Sequence, residues 1–296
     1  MTRLDHLRRF TAPLVGLPLA FACATAPPAA RALDPAPAAA PSTAAPVQEG
    51  SSAPSNADLA QKLTNPIADM YSFPFQLNYD QDIGPADRGE RWKLNVQPVL
   101  PFDLNDDWLV VSRTILPVIS QDDVFGNGRS QSGIGDVVQS FFFVPRASSG
   151  GLTWGVGPVL LLPTASDDLL GQEKWGAGPT GVALKIDGPW TYGALANHLW
   201  SFAGDDDRLD VNATFVQPFL AYTTTTAYTF SLNSEATYDW EASDWSIPFN
   251  ALVSRVVLFG KLPVSVGAGL RYWAESPDAG PEGLGFRFQL TPILPR

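Results

Sequence analysis

The charged side chains inside apolar stretches of this sequence are the residues best suited to chemistry. They occupy or adjoin polar positions of segments that alternate apolar and polar residues: Lys93, Arg113, Glu235, Arg255, Arg271 and Arg287. If these segments form a barrel wall, the charges point into its interior, where a guanidinium must find water, a carboxylate or a solute oxygen. Two roles follow for these candidate lumen residues: an ion-pair network that fills the interior, or a selectivity constriction.

Acidic residues cluster between the alternating segments. The densest group is Asp205, Asp206, Asp207 and Asp210. Its spacing lacks the glycine and the terminal glutamate of an EF-hand loop. We expect a solvated loop, and the alternative is a divalent-cation site that bridges to lipopolysaccharide phosphates. No dedicated metal site is predicted.

Catalytic chemistry has little support in the sequence. Cys23 is the single cysteine, and His198 is the one histidine after residue 32. Zinc, haem and thiol sites are therefore nearly excluded. His198 shares the phase of Trp200, and the matching face of the next segment supplies no serine for a lipase-like site on an outer wall. With no nucleotide or hydrolase motif present, we expect no catalytic residue and no cofactor.

The elements that position these side chains have a period of two from about residue 70 to the C-terminus. In the clearest segment, Thr226 to Trp240, tyrosine, phenylalanine, leucine and tryptophan alternate with threonine, serine, asparagine and glutamate. The same alternation recurs around Lys93 and Arg287. In a membrane barrel the apolar face meets lipid and the polar face lines the lumen.

Twelve such segments can be delimited. They lie near 71–80, 90–104, 107–121, 134–146, 152–164, 175–187, 189–202, 209–222, 226–240, 244–257, 262–275 and 283–294. Short links alternate with mostly longer, acidic ones, as periplasmic turns alternate with extracellular loops. The sequence therefore predicts an all-β fold: a transmembrane, antiparallel, up-and-down β-barrel of about twelve strands.

Aromatic and proline residues refine this prediction. Aromatic residues lie at both kinds of link, which suggests two interfacial girdles. At the short links, segments begin with Trp108, Trp154, Trp190 and Tyr228; beside the other links lie Trp92, Trp175, Trp200, Trp240 and Trp245.

Prolines interrupt many segments: Pro74, Pro98, Pro117, Pro158, Pro163, Pro179, Pro218, Pro248 and Pro292. Because proline removes a ladder donor, we expect most at strand ends, bulges or bends, and we consider a lateral break in the wall.

The bulk composition excludes one class of partner. The chain has 19 Lys and Arg against 30 Asp and Glu, a net charge of −11. Such a chain lacks the basic surface that binds phosphate backbones, so we expect no nucleic-acid partner. Charged residues make up 17% and aromatic residues 11% of the sequence, which favours exposed apolar surface.

The N-terminal region predicts export. A basic start, an apolar stretch and A-x-A sites indicate a signal peptide over 1–32, which directs the chain to the cell outer membrane of a Gram-negative bacterium. Residues 33–56 are rich in Ala, Pro and Ser and are expected to be disordered. The barrel domain is assigned to 57–296. Its first residues predict one or two helical turns from Asn56, stopped by Pro66, as a frayed lead-in or a helix in the barrel mouth.

Long runs of the sequence resemble a known family. They include LTNPIADMYSFPFQLNYD, GIGDVVQSFFFVP and GPVLLLPTASDDLLGQEKWGAGPTGVALK, and the resemblance covers about residues 57 to 296. These runs resemble proteobacterial outer-membrane transporter-like barrels related to the phenol-degradation meta-pathway family. The resemblance implies an outer-membrane channel for small, aromatic or hydrophobic solutes, with lipids and lipopolysaccharide as neighbours. It implies no site residues. The alternatives are a non-conducting structural barrel and, less favoured, a lipase-like enzyme.

Overall fold

The computed structural model describes residues 54–147 and 150–294. The predicted signal peptide and nearly all of the predicted disordered segment lie outside these residues. So do the short link at 148–149 and the last two residues. Residues 54–56, the end of the predicted disordered segment, lead directly into a helix.

The described chain consists of one helix followed by β-strands. The helix α1 spans Asn56–Leu63. The strands are β1 (Tyr71–Ser72), β2 (Phe75–Ile83), β3 (Gly89–Val96), β4 (Val99–Asp103), β5 (Trp108–Asp122), β6 (Ser130–Ile134), β7 (Val137–Pro145), β8 (Leu152–Leu162), β9 (Lys174–Asp187), β10 (Trp190–Gly204), β11 (Asn212–Thr223), β12 (Tyr228–Ser234), β13 (Ala236–Asp239), β14 (Asp244–Phe259), β15 (Leu262–Glu275) and β16 (Gly283–Leu294). None of the described helical residues forms a segment long and apolar enough to cross a bilayer.

The strands form a closed antiparallel barrel with twelve wall strands. Four wall strands are each built from two consecutive segments: β1 with β2, β3 with β4, β6 with β7, and β12 with β13. The ring closes where β16 pairs with both β1 and β2, for example Leu294 with Tyr71 and Phe288 with Leu77. The predicted fold class is therefore confirmed. Each wall strand overlaps one of the twelve predicted segments.

The connections divide the barrel into two ends. At one end, which we call the short-turn end, lie the links 104–107, 188–189, 224–227 and 260–261 and the partly described link 146–151. At the other, the long-loop end, lie 84–88, 123–129, 163–173, 205–211 and 276–282. The link 240–243 also belongs to the long-loop end and is short, an exception to the predicted alternation.

The outer face is apolar around the ring. On β12, Phe230 and Leu232 are exposed, Leu232 to 57%, whereas Thr229, on the inner face of the same strand, is buried. Exposed leucine, phenylalanine, valine and tyrosine continue this face over β14, β15 and β16. Exposed tryptophans lie toward both ends of the strands, at the positions predicted for two girdles. A continuous exposed apolar surface of this kind is suited to contact with lipid.

Prolines mark many of the irregularities in the wall. Pro74 separates β1 from β2, Pro98 separates β3 from β4, and Pro163 follows β8. Pro248 lies at a register shift between β14 and β15. These four positions agree with the expectation of ends and bulges, whereas Pro117, Pro158, Pro179, Pro218 and Pro292 lie within strands. The pairings nevertheless run round the ring, so no lateral break separates the wall strands.

The segment before the first strand fills the short-turn end of the lumen. Ser55 caps α1 in a reciprocal capping box with Asp58. The helix docks by hydrogen bonds from Gln61 to the Gly188 carbonyl and from Thr64 to Thr191. Of the two alternatives predicted for this segment, the frayed lead-in was the favoured one, but the structure has the other, a helix in the barrel mouth. We call residues 56–70 the plug.

Two apolar clusters hold the plug. Ile67, 1% exposed, packs among inward residues that include Val111, Phe142 and Leu184. Ala60, Ala68 and Met70 pack against a second group: Ala227, Val256 and Ile293. The lumen is thus apolar toward the short-turn end, where sequence reasoning expected a polar face. Burial of these side chains anchors the plug hydrophobically, since each large apolar side chain contributes about 1.5–3 kcal/mol.

Candidate lumen site

Five of the six predicted lumen charges do lie on the inner face. These are Lys93, Arg113, Glu235, Arg271 and Arg287. Arg255 is the exception, because it lies on the outer face with its guanidinium 4.7 Å from the ring centre of the exposed Tyr228. Its position on β14 follows the phase of the exposed Val253, which makes it an interfacial residue at the short-turn end.

Glu235 is the centre of an ion-pair network. It lies between β12 and β13, opposite the irregularity at Pro248. Arg287 binds it through two parallel hydrogen bonds, Nη1 to Oε1 and Nη2 to Oε2, each 2.8 Å. Arg271 donates from Nη1 to Oε2 at 3.1 Å. Both carboxylate oxygens are therefore occupied, and the bidentate geometry is the strong form of this pair.

Asp80 is a second carboxylate of the network that the sequence reasoning missed. It is fully buried, accepts a hydrogen bond from Trp273 Nε1 at 2.8 Å and pairs with Arg271 Nε at 3.1 Å. Arg91 approaches it to 3.9 Å. Its alternation with Asn78 was a usable signal, but Asp80 is the last residue of the predicted segment 71–80, where a carboxylate is expected to belong to the following loop.

The register of β15 and β16 makes room for the two buried arginines. Arg271 pairs with Gly285, and Arg287 pairs with Gly269. A Cβ atom at Gly285 would lie 2.3 Å from the Tyr79 carbonyl oxygen and 3.4 Å from Asp80 Oδ1. Glycine therefore leaves space for close backbone packing beside the network.

Arg113 and Lys93 belong to the same region but not to these ion pairs. Arg113 on β5 donates from Nη2 to Gln97 Oε1 at 3.0 Å. Lys93 on β3 lies beside Asn78, which is itself next to Arg287. Within the described residues, neither cation has a salt bridge to a carboxylate. Of these two, Arg113 lies on the wall of the cavity described next, whereas Lys93 does not.

A cavity of about 210 Å³ lies between the plug and the ion-pair network. The plug contributes Leu63, Pro66 and Met70 to its lining. Polar lining comes from Arg113, Glu235 and Arg287 and from the carboxamides of Gln76, Gln97 and Gln289. Charged, hydrogen-bonding and apolar side chains thus line the same cavity.

The acidic residues at the long-loop end do not assemble into one site. Asp210 pairs with Lys174 at 3.2 Å and accepts a hydrogen bond from Ser201 at 3.0 Å. The hydrogen bond from Lys174, with that from Ser201, holds the pKa of Asp210 below its ordinary value. Asp205 instead accepts the backbone N–H of Asp207. Over the described ranges, no group of three or more His, Cys, Asp or Glu side chains is arranged to hold a metal ion.

His198 lies on the outer face of β10 near the long-loop end. Its ring is 4.0 Å from that of Trp200, and Nδ1 is 2.7 Å from Thr214 Oγ1. Trp240 Nε1 donates to the same hydroxyl. The histidine thus forms part of an aromatic interfacial cluster, and its hydrogen-bond partner is a threonine rather than a serine.

The barrel resembles solved outer-membrane proteins. Against the COG4313 outer membrane channel from Pseudomonas putida F1, the TM-score is 0.60 at 13% sequence identity, covering 76% of this chain and 96% of that channel. The NanC porin gives 0.46 at 8% identity, covering 76% of this chain and 99% of the porin. Phospholipase A of the Escherichia coli outer membrane gives 0.46 at 12% identity, with coverage of 80% and 96%.

The likeness to the Pseudomonas channel shows the fold and no more. This chain has the fold of an outer-membrane β-barrel. Searches with the sequence found no matching family model and no matching curated protein.

Proposed function

We propose that this protein is an outer-membrane channel that lets small solutes cross the barrel interior. The cavity inside the closed wall carries this proposal. It presents to a passing solute the guanidinium of Arg113, which has no salt bridge among the described residues, and several carboxamides. The barrel would sit among outer-membrane lipids and lipopolysaccharide. Transport here requires no covalent step, in keeping with a non-enzymatic role.

Small aromatic or hydrophobic solutes are the proposed class. The lumen is apolar toward the short-turn end, and Phe219, Leu252 and Met70 bring apolar surface into the cavity itself. The sequence resemblance to barrels related to the phenol-degradation meta-pathway family points in the same direction. Lys93 and Arg113 would be the selectivity residues, whereas Glu235, Arg271 and Arg287 would hold the interior together.

A non-conducting structural barrel is the second candidate. The plug favours it, because residues 56–70 fill the short-turn end and are held by buried apolar side chains. The two functions differ in whether the plug leaves a path or can be displaced.

Planar-bilayer recording separates these candidates. A channel gives unitary conductance above that of the empty bilayer, and loosening the plug by Ile67→Asp increases it. Arg113→Ala then shifts the reversal potential in a salt gradient, whereas the outward Arg255→Ala does not. If neither the wild type nor Ile67→Asp conducts, while both remain folded by circular dichroism, the channel proposal is wrong.

Liposome uptake tests the solute class. Vesicles containing the protein should take up a phenol-sized neutral aromatic faster than protein-free vesicles do, and faster than they take up a sugar of similar mass. Equal protein-dependent rates for both solutes would leave a channel without the proposed preference.

A further inference from the structure

The lumen network contains more positive than negative charge. Around the cavity and the two carboxylates, the described cations are Arg91, Lys93, Arg113, Arg271 and Arg287, and the carboxylates are Asp80 and Glu235. Three positive charges of this group are therefore uncompensated. Unpaired charge in a low-dielectric interior is costly, so such a site favours an anion.

Among the described residues, Glu235 forms no salt bridge with Arg113. Its two oxygens already accept three hydrogen bonds from Arg271 and Arg287. Arg113 instead lies on the cavity wall with one Nη atom bound to Gln97, which fixes the plane of the guanidinium. The remaining N–H groups of Arg113 have no described protein acceptor. A planar fork of this kind matches the geometry of a carboxylate.

We infer that the cavity is a binding site for the carboxylate group of a small organic acid, with Arg113 as its anchor. This rests on the proposed channel function for the route by which the acid arrives. The carboxylate pairs with the free N–H groups of Arg113, and Lys93 adds to the positive field. The apolar body of the acid lies against Phe219, Leu252 and Met70, which line the same space.

The size of the cavity limits the ligand. At about 210 Å³ it falls below the roughly 300–1,000 Å³ of pockets for drug-sized molecules. It suits an acid with a single ring or a short chain.

Benzoate and benzyl alcohol are matched probes for this site, because they share a ring and differ in charge. Binding is measured by tryptophan fluorescence or calorimetry on the folded, detergent-solubilised protein at constant chloride. We expect benzoate to bind at least tenfold more tightly than benzyl alcohol. Arg113→Gln should weaken benzoate binding at least tenfold, and Arg113→Lys should weaken it less, because lysine keeps the positive charge but loses the planar fork. The outward control Arg255→Gln should stay within about threefold of wild type.

Each result decides the inference. Equal binding of the two probes, no benzoate binding by wild type, or unchanged binding by Arg113→Gln overturns it. If Arg113→Gln fails to fold, the comparison of the two probes on wild type and on Arg113→Lys still decides. Conductance is read separately. Arg113-dependent benzoate binding by a non-conducting barrel refutes the channel and retains the site, whereas a conducting barrel that ignores benzoate refutes the site alone.

Discussion

Replacing Glu235 by glutamine removes the charge that holds two buried arginines. Arg271 and Arg287 are 4% and 2% exposed, and both donate to this one side chain. Glutamine keeps one acceptor oxygen but turns an amide N–H₂ toward the guanidinium groups. The Glu235→Gln variant therefore leaves buried positive charge without its partner.

The expected cost follows from this geometry. Breaking a buried ion pair by removing one partner typically costs about 3–5 kcal/mol. Because the Glu235 side chain is 19% exposed to the lumen, we take the lower end and expect a loss of about 3 kcal/mol in the free energy of unfolding. Asp80 continues to pair with Arg271, which also limits the loss.

Urea unfolding in lipid vesicles, followed by circular dichroism, measures this loss. Glu241→Gln is the control, because Glu241 lies in the exposed link 240–243 and accepts one hydrogen bond from Asn212. Its stability should stay within about 0.5 kcal/mol of wild type. If Glu235→Gln also stays within about 1 kcal/mol but shifts ion selectivity, Glu235 and its arginines form the constriction and our assignment of a structural role is wrong.

Three further outcomes are expected. Leu232→Arg, on the lipid-facing side of β12, should lower the free energy of unfolding in vesicles by about 2 kcal/mol, and a wild type that is monomeric in water without detergent would contradict this. Ile67→Asp should raise bilayer conductance by expelling the plug, and an unchanged current would show that the plug does not obstruct the path. The ion pair of Asp210 with Lys174 should persist from neutral pH down to the ordinary aspartate value of 3.8, because the folded pKa is lowered, and should be lost as pH falls through that lower pKa. Carboxyl NMR of Asp210 checks this, and a midpoint at or above 3.8 would contradict it.

The strands could be predicted because membrane burial imposes a residue-by-residue alternation on them. Tyr228, Phe230 and Leu232 have to face lipid whatever their neighbours are, so local sequence carries the information. The number of such segments is even, so the first and last strands run antiparallel. They can therefore pair with each other and close the ring.

The charge network could not be predicted, because it depends on the stagger between distant strands. Glu235 and Arg287 meet inside the lumen although β14 and β15 separate their strands in the wall. Whether Arg113 is paired or free is likewise decided by which carboxylates Arg271 and Arg287 have already occupied. Docking of the helix in the barrel mouth could be named only as an alternative, because the sequence of an eight-residue helix does not indicate which surface it packs against.

The covalent connection between the plug and the wall has a kinetic consequence. Met70, the last residue of the plug, is followed immediately by Tyr71, which is paired with Leu294 at the closing of the ring. A plug that leaves the mouth therefore remains tethered by a short linker. Its effective concentration at its own binding site is on the order of millimolar. Rebinding is then a first-order event whose rate is independent of how many copies the membrane holds, so each barrel would open and reseal as a self-contained unit.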